Sequence, residues 1–186
     1  NKNTPLMCPH LLFSEEWNRQ SFSLARQFSK GIVFDESKAK YSICSESWIQ
    51  KLLNLYPEYI KCKTRFGATI KHAYEYINEK LNSIESEYIF MEYGGNDCDF
   101  KWDKIAQDPY ADHEPNTTLA EYNDIMEKII KKTKDSGKKI ILSTLPPIDS
   151  QRYFSFFTNN NKEKGDNILI WLKDVENISR WQESYN

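Results

Sequence analysis

Tyr88-Ile89-Phe90-Met91-Glu92-Tyr93-Gly94-Gly95-Asn96-Asp97 runs an apolar strand directly into a glycine-rich polar turn. Open parallel sheets bind ligands in the crevice beyond the carboxyl ends of their strands, so a turn of this composition is a site candidate as well as a connection. The two glycines give the backbone access to positive φ, and the Asn96 amide can donate hydrogen bonds into a crevice. The same residues also suit a turn in which Asn and Asp merely cap backbone groups, and the turn alone leaves both readings open.

Outward from this stretch, strands and helices alternate. On the amino side, residues 45–56 place Trp48, Ile49, Leu52, Leu53 and Tyr56 at helical spacing, and Pro57 stops the helix. Residues 59–65 read as a short strand, and Thr69 caps a helix through Leu81. On the carboxyl side, Thr118-Leu119-Ala120-Glu121 is a capping box. It opens a helix with Tyr122, Ile125, Met126, Ile129 and Ile130 on one face, closed by Gly137. The apolar run 139–145 is expected to be buried on both faces of a parallel sheet, ending at Pro146-Pro147. Residues 158–166 read as a mobile loop and 168–185 as a final amphipathic helix. Its stripe of Ile170, Trp171, Val175, Ile178 and Trp181 is expected to face the sheet beside a following strand. An open edge there invites pairing, so a homodimer is an expected assembly. The alternation predicts an α/β fold with right-handed crossovers and a doubly wound parallel sheet. Residues 1–20 form an expected irregular arm, and 21–186 one domain.

The 186 residues suit one well-buried core, and 39% hydrophobic content with 14% aromatics marks a globular chain. No apolar run approaches the roughly 20 residues of a membrane span. A net charge of −2 leaves no basic footprint for nucleic acid. Lys128, Lys131, Lys132 and Lys134 read as the solvated face of a helix. Cys8, Cys44, Cys62 and Cys98 fit no metal spacing, which suggests reduced thiols and a cytoplasmic location. Cys98 reads as structural rather than reactive. The start at Asn1 leaves a removed leader open, and only secretion would give the sequons Asn116-Thr117-Thr118 and Asn177-Ile178-Ser179 meaning. Neither cofactor nor metal is expected: Asp97, Asp99, Asp112 and His113 lack the close, regular spacing of hard-cation loops.

Glu92-Tyr93-Gly94-Gly95-Asn96-Asp97-Cys98-Asp99-Phe100 resembles the Gly-x-Asn-Asp block of the SGNH (GDSL-type) hydrolases. Leu145-Pro146-Pro147-Ile148-Asp149 and Arg180-Trp181 continue the resemblance, and Arg65-Phe66-Gly67-Ala68-Thr69 looks like the family's glycine block. It covers roughly residues 21–186. The resemblance implies a flavodoxin-like three-layer α/β/α sandwich and serine-esterase chemistry on an O-acyl ester, such as an acetylated sugar. It also implies an oxyanion hole made by the Gly67 backbone N–H and the Asn96 side chain, with Gly95, Asp97 and His113 lining the substrate. Such donors suit the chemistry, because the oxyanion needs preorganised neutral groups aimed where charge develops.

Two departures stand against that pattern. The Gly-Asp-Ser-Leu block has no intact counterpart. Ser21-Phe22-Ser23-Leu24 keeps the Ser-Leu pair, making Ser23 the candidate nucleophile with Ser29 behind it. A gapless match back from Lys30-Gly31 puts Gln27 at that position instead. The family's late Asp-x-x-His block is also absent from these residues, and no histidine follows His113. A serine without a base is scarcely nucleophilic at neutral pH, so the chain taken alone is expected to be catalytically incomplete. The alternative is a non-catalytic relative that binds a carbohydrate or acyl ligand. A nucleotide-binding flavodoxin-like domain would need a phosphate-cradling loop after the first strand, and none is apparent.

Overall fold

A computed structural model describes the backbone of residues 22–25, 32–35, 40–43 and 48–49, and residues 50–63, 65 and 67–186 in full. The expected arm 1–20 lies outside the described residues. In chain order the elements are β1 (Phe22–Ala25), β2 (Ile32–Asp35), β3 (Lys40–Ile43), α1 (Trp48–Leu55), β4 (Ile60–Cys62), α2 (Ile70–Lys80) and β5 (Tyr88–Met91). There follow α3 (Trp102–Gln107), α4 (Leu119–Asp135), β6 (Lys139–Leu142), α5 (Ser150–Thr158), α6 (Lys162–Leu172) and α7 (Asn177–Glu183).

Four strands form one parallel sheet in the order β4-β1-β5-β6. Ala25 pairs with Met91 and Met91 with Leu142, so three strands end in register. β2 and β3 pair antiparallel as a separate hairpin that periodicity did not foretell. The order reverses at β1, as in flavodoxin-like sheets, and the switch point therefore lies between β1 and β5. Right-handed crossovers then put α1 on one face and α2 with α4 on the other. This is the three-layer α/β/α arrangement. β5 shows why one face is core: Ile89 and Met91 are buried while Tyr88 and Phe90 are only partly so, the period of two expected of a strand. Ile89 and Met91 join Ala73 and Ile77 of α2 and Tyr122 and Ile129 of α4 in one cluster.

Several expectations change. The run 139–145 was expected to be buried on both faces, but only 139–142 form a strand, and Ile141 and Leu142 are 37% and 46% exposed. β6 is the last strand in the sheet order among the described residues, and an apolar run does not encode rank within a sheet. The expected loop 158–166 contains the first turn of α6, whose Lys164 N–H is accepted by the Asn161 side chain at 2.9 Å. α5 was missed altogether; Asp149 caps it by accepting the Arg152 N–H, and Asn159 ends it at φ 52°. The expected single helix 168–185 breaks at Lys173, at φ 66°, into α6 and α7. Trp171, Val175, Ile178 and Trp181 do not face the sheet beside another strand. They join a second core with Trp102 and Ile105 of α3.

Candidate functional site

The site is assembled where β5 meets the loop before α2. Beyond Met91 the chain reaches Gly94 at φ +125°, and the Cys98 N–H donates back to the Gly94 carbonyl at 2.8 Å to close the turn. Gly94 has a second reason to lack a side chain. A Cβ there would lie 3.0 Å from Leu145 Cδ1 and 3.2 Å from Tyr185 Cβ. The segment after β6 and the last residues of the chain thus pack directly behind the turn, and the Leu145 N–H donates to Asn186 Oδ1 at 2.6 Å.

Asp97 was expected to line substrate. It is instead wholly buried, with Oδ1 accepting the Ile70 N–H at 2.9 Å and Oδ2 the Gly94 N–H at 3.2 Å. Ile70 opens α2, so its N–H is one that no helical carbonyl can satisfy, and a carboxylate is favoured beside the positive end of the helix. One side chain thereby pins two loops together. Asn96 completes the junction: its Nδ2 donates to the Ala68 carbonyl at 2.9 Å, beside Gly67. Gly67 is exposed and adopts φ +66°, a conformation that favours glycine. The Asn96 carbonyl accepts from Asn116 Nδ2 at 2.8 Å. Gly95 is half-buried, and its carbonyl faces Cys98 Sγ at 3.4 Å. Gly67, Gly95 and Asn96 therefore share one rim at the carboxyl end of the sheet.

The remaining candidates lie elsewhere. Ser23 falls in the middle of β1, paired with Ile89 and Lys61. It precedes the end of the strand by two residues, roughly 6–7 Å along it; its side chain, like Ser29, lies outside the described residues. His113 is half-buried, with Nε2 2.8 Å from the Asp108 carbonyl and its ring edge-on to Trp171 at 5.7 Å. Its neighbours Asp112 and Glu114 are exposed. Phe100 packs against Trp171 and Trp181 at 5.0 and 4.8 Å, so His113 belongs to an aromatic group beyond the turn. Among the described residues no three His, Cys, Asp or Glu side chains gather as metal ligands.

Sequence reasoning overlooked His72 and Tyr185, and weighed Asp99 only as a metal ligand. His72 occupies the third position of α2, where its Nδ1 accepts the Thr69 N–H at 3.1 Å. The spacing Thr-x-x-His, standing in for Thr-x-x-Glu, is the signal that could have revealed it. Asp99 is held by the Phe100 N–H and Trp102 Nε1, both on Oδ1 at 3.0 and 2.8 Å. Burial raises its carboxyl above the ordinary range, against the pull of Trp102 and Tyr153. Tyr185 donates its hydroxyl to the Thr117 carbonyl at 2.5 Å, and burial pushes its phenol up to about 12.

No family model matches the sequence, and no curated protein matches it. Solved structures do align with it. An acetylxylan esterase from Geobacillus stearothermophilus, in a catalytic mutant form, aligns over 87% of this chain and 72% of its own at 18% identity and a TM-score of 0.47. A lipase/acylhydrolase from Enterococcus faecalis aligns over 87% and 73% at 14% identity and a TM-score of 0.49. An α/β hydrolase from the metagenome of Lake Arreo, Spain, aligns over 84% and 74% at 14% and 0.48. The fold assignment stands on strand order and register alone.

Proposed function

We propose that this chain is a divergent SGNH-type serine esterase, a hydrolase of O-acyl esters such as acetylated sugars. In this reading the Gly67 N–H and the Asn96 amide stabilise the oxyanion. The observation that carries it is the 2.9 Å bond from Asn96 Nδ2 to the Ala68 carbonyl, which brings the turn after β5 to the loop before α2. Asn96 Nδ2 carries two hydrogens, one of them on the Ala68 carbonyl, and in this reading the other joins the Gly67 N–H in meeting the developing charge of a tetrahedral intermediate. Ser23 is the candidate nucleophile and Ser29 the next.

The test is hydrolysis of p-nitrophenyl acetate together with covalent labelling by a fluorophosphonate, with mass spectrometry locating the modified serine. Turnover is expected to be weak in these 186 residues, and to fall about 10²–10³-fold in kcat in Asn96→Ala. Labelling neither at Ser23 nor at Ser29, with hydrolysis unchanged in Asn96→Ala, would sink the reading.

A second reading, a non-catalytic ligand-binding relative, has one observation in its favour. Both described histidines are tied to backbone, His72 to the Thr69 N–H and His113 to the Asp108 carbonyl. Complete inactivity with retained binding of an acetylated saccharide would favour it.

A further inference from the structure

We propose that Asn116 is a positioning residue for the acyl-transfer chemistry: by holding the main chain of Asn96 it sets where the Asn96 amide stands. This role rests on the reading of Asn96 as an oxyanion donor. Asn116 lies in the loop before α4, 20 residues beyond Asn96, and its Nδ2 donates to the Asn96 carbonyl at 2.8 Å.

That bond is one of three that stitch this loop to the turn after β5. The Asn116 N–H donates to the Asp99 carbonyl at 2.8 Å, and the Thr117 N–H to the Asp97 carbonyl at 3.0 Å. These two donors are backbone groups and survive a side-chain substitution. The donor to Asn96 belongs to the Asn116 side chain. The carbonyl carbon and Cβ of Asn96 leave the same Cα, and the backbone has only two soft dihedrals per residue, so restraining the carbonyl restrains the direction in which the side chain leaves. Asn96 is thus held at both ends, its side chain by the Ala68 carbonyl at 2.9 Å and its main chain by Asn116.

The loop carrying Asn116 is itself anchored. Thr117 is buried, and its carbonyl accepts the Tyr185 hydroxyl at 2.5 Å. Thr118 caps α4 by accepting the Glu121 N–H, and Tyr122 in the first turn of that helix donates its hydroxyl to the Tyr93 carbonyl at 2.9 Å. The donor is therefore in place before a ligand arrives, as a preorganised oxyanion site requires. Removing an oxyanion donor outright costs about 10²–10³ in kcat, and a donor displaced rather than removed should cost less.

The experiment measures p-nitrophenyl acetate hydrolysis by the 186-residue chain and by Asn96→Ala, Asn116→Ala and the double variant. Asn116→Ala is expected to lower kcat about tenfold with KM unchanged. The double variant is expected to be no slower than Asn96→Ala, because a residue that acts through Asn96 then has nothing left to position. Amide NMR reads the placement without turnover: the separation between the two Asn96 side-chain proton shifts, identified by their loss in Asn96→Ala, should change in Asn116→Ala. A thermal melt verifies folding, and where Asn116→Ala does not fold, Asn116→Asp, which keeps the shape without the donor, replaces it. Hydrolysis absent from the parent or unchanged in Asn96→Ala would refute the oxyanion reading and this positioning role together. A slowed Asn96→Ala beside an unchanged Asn116→Ala would refute the positioning role alone. So would multiplied losses in the double variant, a change in KM without one in kcat, an unmoved Asn96 NMR pair, or failure of both Asn116 variants to fold.

Discussion

Replacing Asp97 with Asn is expected to destabilise the fold by about 2–4 kcal/mol. The carboxylate receives the Ile70 N–H on one oxygen and the Gly94 N–H on the other. Asn has a single acceptor oxygen, so one of these donors would confront an NH2 group. A lost charge-assisted bond costs about 1.5–3 kcal/mol, and losing the negative charge at the start of α2 adds about 0.3–1 kcal/mol. Asp97→Ala strands both buried N–H groups, at about 1–3 kcal/mol each. Against a typical total of about 5–15 kcal/mol, either change should move the unfolding midpoint visibly. The assay is urea unfolding followed by tryptophan fluorescence, with the slope checked for constancy. Asp99→Asn is the control. Its Phe100 and Trp102 donors share Oδ1, which an amide retains as acceptor, the Tyr153 hydroxyl can turn from donating to the carboxylate to accepting from the new NH2, and the change removes a carboxyl that burial already disfavours as a charge. It should cost under about 1 kcal/mol. If Asp97→Asn is as mild as Asp99→Asn, Asp97 does not clamp the two loops.

Gly94→Ala should cost about 2–6 kcal/mol, combining backbone strain at φ +125° with overpacking against Leu145 and Tyr185. Gly67→Ala, also at positive φ but with nothing within 4 Å, should cost only about 1–2 kcal/mol. Calorimetry separates the two, and equal losses of Tm would refute the packing role of Gly94. The Tyr185 phenol has its folded pKa raised from 10.0 to about 12, so its stabilisation is complete below pH 10 and is lost as pH climbs through 12. Tyr185→Phe should therefore be less stable than the parent at pH 8, with the gap closing between pH 10 and 12; a gap constant across that window in denaturant unfolding would contradict the assignment.

The four blocks carrying the resemblance were legible because their chemistry is local. A capping Thr118, whose hydroxyl accepts the Glu121 N–H at 3.3 Å, or a glycine at Gly94 or Gly137, announces itself in a few consecutive residues. From such signals and from apolar periodicity, the sequence by itself determined the alternation of strands and helices, the parallel sheet, and the presence of Gly67 and Asn96 in the loops that flank the site. Tertiary structure decided the rest. Whether an apolar run is central or at an edge depends on its neighbours, which is why 139–145 was misjudged and β6 lies partly exposed. The stripe Trp171, Val175, Ile178 and Trp181 is amphipathic in any setting, but only the fold directs it onto α3. Asp97 was expected to line substrate through the family resemblance, while the turn by itself left a capping role open. It became a buried clamp because the Ile70 and Gly94 N–H groups, 27 and 3 residues away along the chain, converge on its two oxygens, and no local pattern encodes that convergence.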